Sequence, residues 1–325
     1  MMGVDASYVP LHLRNLRTDL PVMCDLFIRE RGQYVLYREA SLPFTVADRD
    51  RLLASGVFYL WIRVPVVEDA YPQRHLVALI NMPDEEVPPL AKAGLLYRSA
   101  RSIVRRAIAE SVSEQALTDV DHLIATTMAY MARSQNAFPA LISMMLHDYS
   151  LYAHALNVAV LALGLGKFLG ISDQRSLRNL GMGAILHDVG KIKMPEEILQ
   201  KRVHLSPEEW SIVRRHPTWG IEVLSAAAEL PEDVMAIVEQ HHERLDGSGY
   251  PKGLVKEELH EFSSIVALID AYDAMTGPRP YRSPYTPFDA LSLLKNEVVM
   301  PGKLDYALFT SLVRLLGDPS QVGRL

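Results

Sequence analysis

The sequence predicts a mainly α-helical protein, in which an all-helical bundle follows a small α/β domain and a helical linker. Three observations predict this fold class. Strand-favouring runs of aromatic and β-branched residues are concentrated near the N-terminus. After Pro88-Pro89, apolar residues recur at spacings of three and four, which is typical of helices. From Phe138 onward, helical patterns follow one another and strand signals are scarce. The predicted boundaries are 1–85, 86–133 and 134–325, and the chain length of 325 residues agrees with more than one domain.

The first segment is predicted to contain the order strand, strand, helix, strand. Residues 22–29 and 34–37 are predicted strands separated by a turn. A helix is expected to begin at Thr45 and to end before Gly56. Residues 57–64 are rich in aromatic and β-branched side chains and predict a third strand.

The linker of residues 86–133 has a helical pattern with arginines on its exposed face, which is typical of a solvated surface. We expect this segment to join the domains and to contribute to a homodimer. The rest of the chain is predicted to form helices at about 138–147, 151–170, 174–188, 206–214, 217–228, 232–242, 262–275, 286–298 and 303–315.

Composition excludes several classes of protein. The net charge of −6 gives no overall basic field, so binding to long nucleic acid is not expected. A single cysteine, Cys24, allows no disulfide within the chain and no thiolate zinc site. Residues 151–170 are apolar but carry His154, Asn157 and Lys167, so we expect a buried core helix and not a membrane span. No signal peptide is recognised at the N-terminus, and we expect a cytoplasmic protein.

The histidines indicate where the chemistry lies. Seven of the eleven lie between His147 and His242. His187 and Asp188 are adjacent at the end of an apolar helix, which Gly190 is expected to end. A buried carboxylate beside a histidine is costly unless a cation or another partner compensates it. A helix cap and a simple hydrogen bond would also explain this pair taken alone.

The other candidates also have ordinary explanations when taken singly. His241 and His242 end a helix, where the helix dipole favours surface histidines, and a loop rich in Gly, Asp and Pro follows. His154 alone is typical of a core histidine, and His216 of a loop residue. Asp270 and Asp273 share a helix face and require a cation or a donor between them.

Their joint occurrence in an apolar helical domain favours a metal site. Imidazole and carboxylate ligands without thiolates suit iron, manganese, nickel or zinc. Seven ligands exceed the number that one tetrahedral ion takes, so two ions are expected. The seven predicted ligands are His154, His187, Asp188, His216, His241, His242 and Asp270.

Separate motifs closely resemble the HD-GYP family, a branch of the HD-domain phosphohydrolases. They are HALNVAVLA from 154, LHDVGKIKMP from 186, EEW and RRHP between 208 and 217, HHERLDGSGYP from 241, and DAYDAMT with RPYR between 270 and 282. Residues 246–251, DGSGYP, are called the GYP loop below; this motif separates the branch from other HD proteins. The resemblance covers about 149–282.

The resemblance implies a phosphodiesterase that hydrolyses the bacterial second messenger cyclic di-GMP to pGpG and GMP, by means of a hydroxide activated by two metals. It implies that Asp188 bridges the metals, that His154, His187 and Asp270 complete one ion, and that His216, His241 and His242 complete the other. It assigns Lys191 to catalysis at the scissile phosphate, and Arg279, Arg282 and Tyr250 to substrate binding. Iron is the expected metal, with manganese or nickel as alternatives.

Two departures from the family pattern affect these expectations. Ser150 stands where some members carry a glutamate that supports a third metal, so two metals are expected. Gly277-Pro278 replaces a frequent Ser-Asp pair before RPYR. A protein partner is expected at the GYP loop or at the N-terminal domain, which resembles a regulatory domain.

Two alternative functions stay open from the sequence. The substrate could be another cyclic dinucleotide or a nucleotide monoester. The protein could also be a sensor that binds cyclic di-GMP with little turnover.

Overall fold

The structure, a computed structural model, describes all residues except 1–5, 14–15, 17, 23, 66–76, 78–79, 86, 111, 146–150, 200, 202–203, 278–282 and 325. The chain separates into two compact units. The first comprises Met1–Ala100 and Thr126–Met145, and the second comprises Arg101–Ala125 and Leu146–Leu325. The division of the sequence at 85/86 and 133/134 stays a prediction.

The described N-terminal part of the first unit contains two antiparallel sheets and the helix α1. In chain order its elements are β1 (Ala6–His12), β2 (Leu20–Pro21), β3 (Leu26–Glu30), β4 (Gln33–Arg38), β5 (Pro43–Phe44), α1 (Val46–Ala54) and β6 (Tyr59–Pro65). The larger sheet has the order β1-β6-β3-β4, and β2 pairs with β5. The Thr45 hydroxyl accepts a hydrogen bond from the Asp48 backbone N–H, so α1 begins where the sequence predicts.

Two long helices follow, α2 (Pro89–Arg105), which continues as a π-helical turn at Arg106–Glu110, and α3 (Glu114–Arg133). The Ser113 hydroxyl accepts from the Ala116 backbone N–H at 3.2 Å and thereby caps the start of α3. The helical pattern predicted for the linker is confirmed, but the linker forms two helices with a break near Ser113.

The first unit ends with α4 (Ala137–Ser143). The remaining helices lie in the second unit and confirm the predicted all-helical bundle. They are α5 (Leu151–Phe168), α6 (Gln174–Leu186), α7 (Glu196–Leu199), α8 (Pro207–Val213), α9 (His216–Ala227), α10 (Glu232–Gln240), α11 (Glu261–Thr276), α12 (Pro287–Leu294) and α13 (Tyr306–Gly317). Among the described residues of the second unit, the only β-pairing is an isolated bridge between Asp246 and Val255. No described helix is both long and apolar enough to cross a membrane.

The core of the second unit is built around α5, which packs against α6 and α11, while α10 packs against α6. Most described side chains of α5 are buried, and burial of such apolar surface is the main favourable term in folding. At Gly183 of α6, a Cβ atom would lie 2.4 Å from Cδ1 of Ile237. The missing side chain therefore lets α10 approach α6 closely, which brings His241 next to His187.

The end of α6 differs from the prediction. The helix ends at Leu186, and Val189–Lys193 form a 3₁₀ turn, so the expectation that Gly190 ends this helix is wrong. A Cβ atom at Gly190 would lie 2.0 Å from the His216 carbonyl oxygen and 2.4 Å from the Gly220 nitrogen. Gly190 therefore permits close backbone packing between this turn and α9, and this packing brings Asp188 to His216.

Candidate metal centre

The seven predicted ligands converge in the second unit, although they come from five segments of the chain. Ligand-capable atoms of Asp188, His216, His241 and His242 lie within 4.8 Å of one another, and those of His154, His187 and Asp188 form a second such group. Asp270 adjoins both groups: its Oδ1 lies 3.1 Å from His154 Nε2 and its Oδ2 lies 3.8 Å from His242 Nδ1. Asp188 is the residue that the two groups share.

Three of the histidines are held in one tautomer by the backbone. His187, His216 and His241 each place Nδ1 at 2.8–3.0 Å from the carbonyl oxygen three residues earlier. A carbonyl can only accept, so Nδ1 carries the proton and donates. In the neutral ring, the lone pair is then on Nε2, the atom that each ring presents to the group.

The arrangement of these lone pairs fits a cation. His216 Nε2 lies 3.1 Å from His241 Nε2, and with both rings neutral two lone pairs face each other. His187 Nε2 and Asp188 Oδ1 are buried without a hydrogen-bond partner among the described residues. Unsatisfied buried polar atoms are costly. A divalent cation would satisfy them, and imidazole with carboxylate is a donor set that such ions accept.

Electrostatics favour the cation-binding forms of four candidate ligands, His187, His241, His242 and Asp188. Burial lowers the pKa of His187, and burial together with neighbouring histidines holds the pKa of His241 well below its usual range. Burial lowers the pKa of His242 to about 3. Burial works against the charge of Asp188, but the charge of Lys191 holds the pKa of this carboxyl well below the usual range. Neutral imidazoles and ionised carboxylates are the ligand forms.

His154 is oriented by a residue that the sequence analysis did not assign to the site. Its Nδ1 lies 2.7 Å from Asp273 Oδ2, and Asn157 Nδ2 donates to Asp273 Oδ1 at 3.1 Å. Burial opposes the charge of His154, but hydrogen bonds with Asp270 and Asp273 raise its pKa to about 10. His154 is thus the donor expected between the two carboxylates, and to hold a metal ion it would have to lose the proton on Nε2. A carboxylate on one ring nitrogen fixes the direction of the other, which here faces Asp270.

The predicted catalytic and substrate-binding residues have different outcomes. Lys191 Nζ lies 2.5 Å from Asp188 Oδ2, so an ammonium group adjoins the shared carboxylate. Tyr250 is half-buried, and its ring centroid lies 4.7 Å from that of His242. Arg279 and Arg282 lie outside the described residues, as does Ser150, so their roles stay predictions.

Glu243, which the sequence analysis did not single out, anchors the GYP loop. Its side chain is buried, and its carboxylate accepts the backbone N–H groups of Lys252, Gly253 and Leu254 at 2.6, 3.1 and 3.0 Å. Bonds from several backbone N–H groups to one carboxylate are strong. They hold the segment just after the loop against the end of α10, so Tyr250 stays beside His242. The available signal was a glutamate directly between two histidines and a Gly-rich loop.

A family model described as HD domain matches residues 139–305, slightly more than half of the chain and including all seven predicted ligands. The chain belongs to the HD-domain family. Curated relatives support the HD-GYP branch, which confirms the family predicted from the motifs. Members of this HD-domain family bind divalent metals, in agreement with the His/Asp group.

Two relatives of this HD-GYP protein match most of its length. It is 30% identical over 285 residues to the cyclic di-GMP phosphodiesterase PA4108 of Pseudomonas aeruginosa, covering 83% of this chain and 68% of that protein. It is 32% identical over 235 residues to the cyclic di-GMP phosphodiesterase response regulator RpfG of Xanthomonas campestris pv. campestris, covering 72% of this chain and 62% of RpfG. The chain thus spans about two thirds of the length of these relatives.

The fold of the HD-GYP chain also resembles a solved structure. Bd1817, an HDG"Y"P protein from Bdellovibrio bacteriovorus, has a TM-score of 0.65 at 18% sequence identity, covering 96% of this chain and all of that one. At this identity the similarity concerns the fold. It supports an α-helical HD domain preceded by a small sheet-containing region.

Proposed function

We propose that this HD-GYP protein is a metal-dependent phosphodiesterase that hydrolyses cyclic di-GMP to pGpG and/or GMP. The observation that carries the proposal is the pair of ligand groups that share Asp188, with Lys191 beside them. The names of PA4108 and RpfG support the substrate, as does the cyclic di-GMP phosphodiesterase of Thermotoga maritima, which is 38% identical over 138 residues.

The proposed centre holds two divalent cations, with iron as the first candidate and manganese or nickel as alternatives. His154, His187 and Asp270 would hold one ion, and His216, His241 and His242 the other. Asp188 would contribute one oxygen to each. Cations held there would supply Lewis acidity toward the phosphate oxygens and lower the pKa of a water molecule. Anaerobic purification followed by elemental analysis tests both the metal and its stoichiometry.

The protein's own groups have separate tasks in this reaction. Burial opposes the charge of Asp270, yet its hydrogen bond with His154 and the charge of His154 hold its pKa well below the usual range, so it stays ionised. Lys191 opposes the negative charge that grows on the phosphate in the transition state. Arg279 and Arg282 are proposed to bind the ligand phosphates and guanine, because guanidinium forks suit both. Water is the proposed nucleophile, so no side-chain nucleophile is needed.

A variant of Lys191 tests the role of this ammonium group. We expect Lys191→Ala to retain both metals and to lower kcat by about a hundredfold, because it removes one preorganised charge from the transition state. Elemental analysis beside steady-state kinetics measures the two effects. Loss of the metals together with activity would mean that Lys191 instead supports the ligand arrangement.

A variant of Asp273 tests the orientation of His154. We expect Asp273→Asn to weaken metal binding by about 10- to 100-fold at the His154 group, while the His216 group keeps its ion. Asp233→Asn is a matched control, because Asp233 also contacts an asparagine and a histidine, Asn179 at 2.7 Å and His260 at 3.2 Å. Metal titrations of the two variants should therefore differ; equal affinities would contradict the positioning role.

A second substrate is favoured by another group of relatives. The 3′3′-cGAMP-specific phosphodiesterase 1 of Vibrio cholerae is 34% identical over 166 residues, which cover half of this chain. Incubation of the metal-loaded protein with a panel of cyclic dinucleotides distinguishes the candidates. We expect faster consumption of cyclic di-GMP than of 3′3′-cGAMP; the reverse order would assign the protein to the second substrate.

The remaining expectations belong to the same proposal. A protein partner at the GYP loop or at the N-terminal segment, a homodimer through the linker helices and a cytoplasmic location stay predictions. If the protein were a sensor, it would bind cyclic di-GMP without consuming it. The relatives named as phosphodiesterases support hydrolysis instead.

A further inference from the structure

An aromatic and cationic stack leads outward from the candidate metal centre. The ring of Tyr250 lies beside that of His242, with centroids 4.7 Å apart and planes inclined by 30°. The guanidinium carbon of Arg214 lies over the Tyr250 ring, 5.5 Å from the ring centroid. Arg214 is therefore linked to the candidate ligand His242 through the ring of Tyr250.

Hydrogen bonds hold the backbone of Arg214, whereas its guanidinium group forms no ion pair with a described residue. Arg214 forms the C-cap of α8, and its backbone N–H donates to the carbonyl oxygens of Trp210 and Ile212. Its side chain is exposed. Within the described parts of the chain, no carboxylate lies within 4.0 Å of its guanidinium group. Arg178, by contrast, forms a bidentate pair with Asp121. An uncompensated cation beside the centre favours an anionic ligand.

The proposed substrate contains a second anion that the metal centre does not use. A cyclic dinucleotide has two phosphodiester groups, and the centre with Lys191 acts on only one of them. The other phosphate carries a full negative charge close to the same site. A guanidinium group matches the oxygens of a phosphate with two parallel N–H donors.

We infer that Arg214, supported by the Tyr250 ring, binds the non-reacting phosphate of the cyclic dinucleotide. Cation–π contact with Tyr250 holds the planar guanidinium group in place, so that less side-chain freedom is lost when the phosphate binds. Arg214 is then a specificity-determining residue that favours diesters with two phosphates over diesters with one. This inference rests on the proposed function and concerns a residue other than Arg279 and Arg282.

The neighbouring arginine provides a matched control. Arg215 is also exposed, but its guanidinium carbon lies 4.8 Å from the ring centroid of Trp219 in α9. The two residues have the same charge and adjacent positions, and they differ in the aromatic ring that they cover. An effect of Arg214→Ala that Arg215→Ala lacks is therefore not a general effect of surface charge.

Steady-state kinetics of the metal-loaded full chain test the inference with two substrates, cyclic di-GMP and the single-phosphate diester bis(p-nitrophenyl) phosphate. We expect Arg214→Ala to raise KM for cyclic di-GMP about tenfold, the loss expected for one charge-assisted hydrogen bond, with a much smaller change in kcat. Its effect on the single-phosphate diester should be small. Arg214→Lys should recover part of the loss, and Arg215→Ala should behave as the wild type with both substrates.

Three outcomes would overturn the inference: an unchanged KM in Arg214→Ala, an equal loss with both substrates, or an equal loss in Arg215→Ala. Equilibrium binding of cyclic di-GMP separates this failure from failure of the proposed function. If the wild type binds cyclic di-GMP without consuming it, turnover fails, and the Kd of Arg214→Ala still decides the inference. If the wild type hydrolyses only the single-phosphate diester and binds no cyclic di-GMP, both proposals fail.

Discussion

Replacement of Asp188 by alanine is expected to abolish both metal loading and hydrolysis of cyclic di-GMP. Asp188 is the residue common to the two ligand groups, and its side chain is buried. Without it, both groups lose their shared anion, and Asp270 is left as the single carboxylate among the proposed ligands to offset two cations. A single preorganised donor in an active site is worth about 10²–10³-fold in kcat, and loss of the whole centre should exceed this.

Elemental analysis, kinetics and far-UV circular dichroism of Asp188→Ala measure this prediction. The helical signal should be that of the metal-free wild type, because the helices that carry the ligands pack through apolar side chains. Asp233→Ala, at the end of α10 distant from His241, serves as the control and should keep both metals. A fully active, metal-replete Asp188→Ala would contradict the two-metal assignment.

Replacement of Gly190 by alanine is expected to cause a large loss of stability. The added Cβ atom would lie 2.0 Å from the His216 carbonyl oxygen and 2.4 Å from the Gly220 nitrogen. These are backbone atoms, so no side chain can turn away to make room. Overpacking typically costs about 1–3 kcal/mol, and contacts this short place the expected loss at the upper end or beyond.

Chemical unfolding of the metal-free protein measures the effect of Gly190→Ala. Gly317→Ala is the control, since an added Cβ atom there would meet no atom within 4 Å. Its free energy of unfolding should stay within about 1 kcal/mol of the wild-type value. Displacement of the turn from α9 should also separate Asp188 from His216, so metal binding should weaken in Gly190→Ala. A wild-type unfolding midpoint for this variant would contradict the packing argument.

The sequence predicts the candidate ligands from short motifs, and their joint occurrence favours a metal site; the structure brings their ligand-capable atoms close together. His187-Asp188 and His241-His242 are adjacent pairs at helix ends, and each motif occurs in the order of the family. The helices were also predictable, since their apolar periodicity and caps are local. Thr45 illustrates this: its hydroxyl accepts from the Asp48 backbone N–H, and α1 begins where the sequence predicts.

The features that escaped prediction depend on contacts between distant residues. Asp273 and His154 are 119 positions apart, so the positioning contact is not visible in either helix alone. Gly190 is needed because the backbone of α9 packs directly against it. The local sequence pattern indicated only that a helix ends there. Strand β1 was missed because its partner β6 lies some fifty positions later, where Leu11 pairs with Leu60.

Product analysis of cyclic di-GMP incubated with metal-loaded protein tests the central claim most directly. The proposed two-metal phosphodiesterase should convert the cyclic dinucleotide to pGpG, followed by or accompanied by GMP, at a rate proportional to the bound metal. Chelation of the metal should stop the reaction. Cyclic di-GMP that binds to the fully metal-loaded protein and is recovered intact would contradict the claim and identify the protein as a sensor.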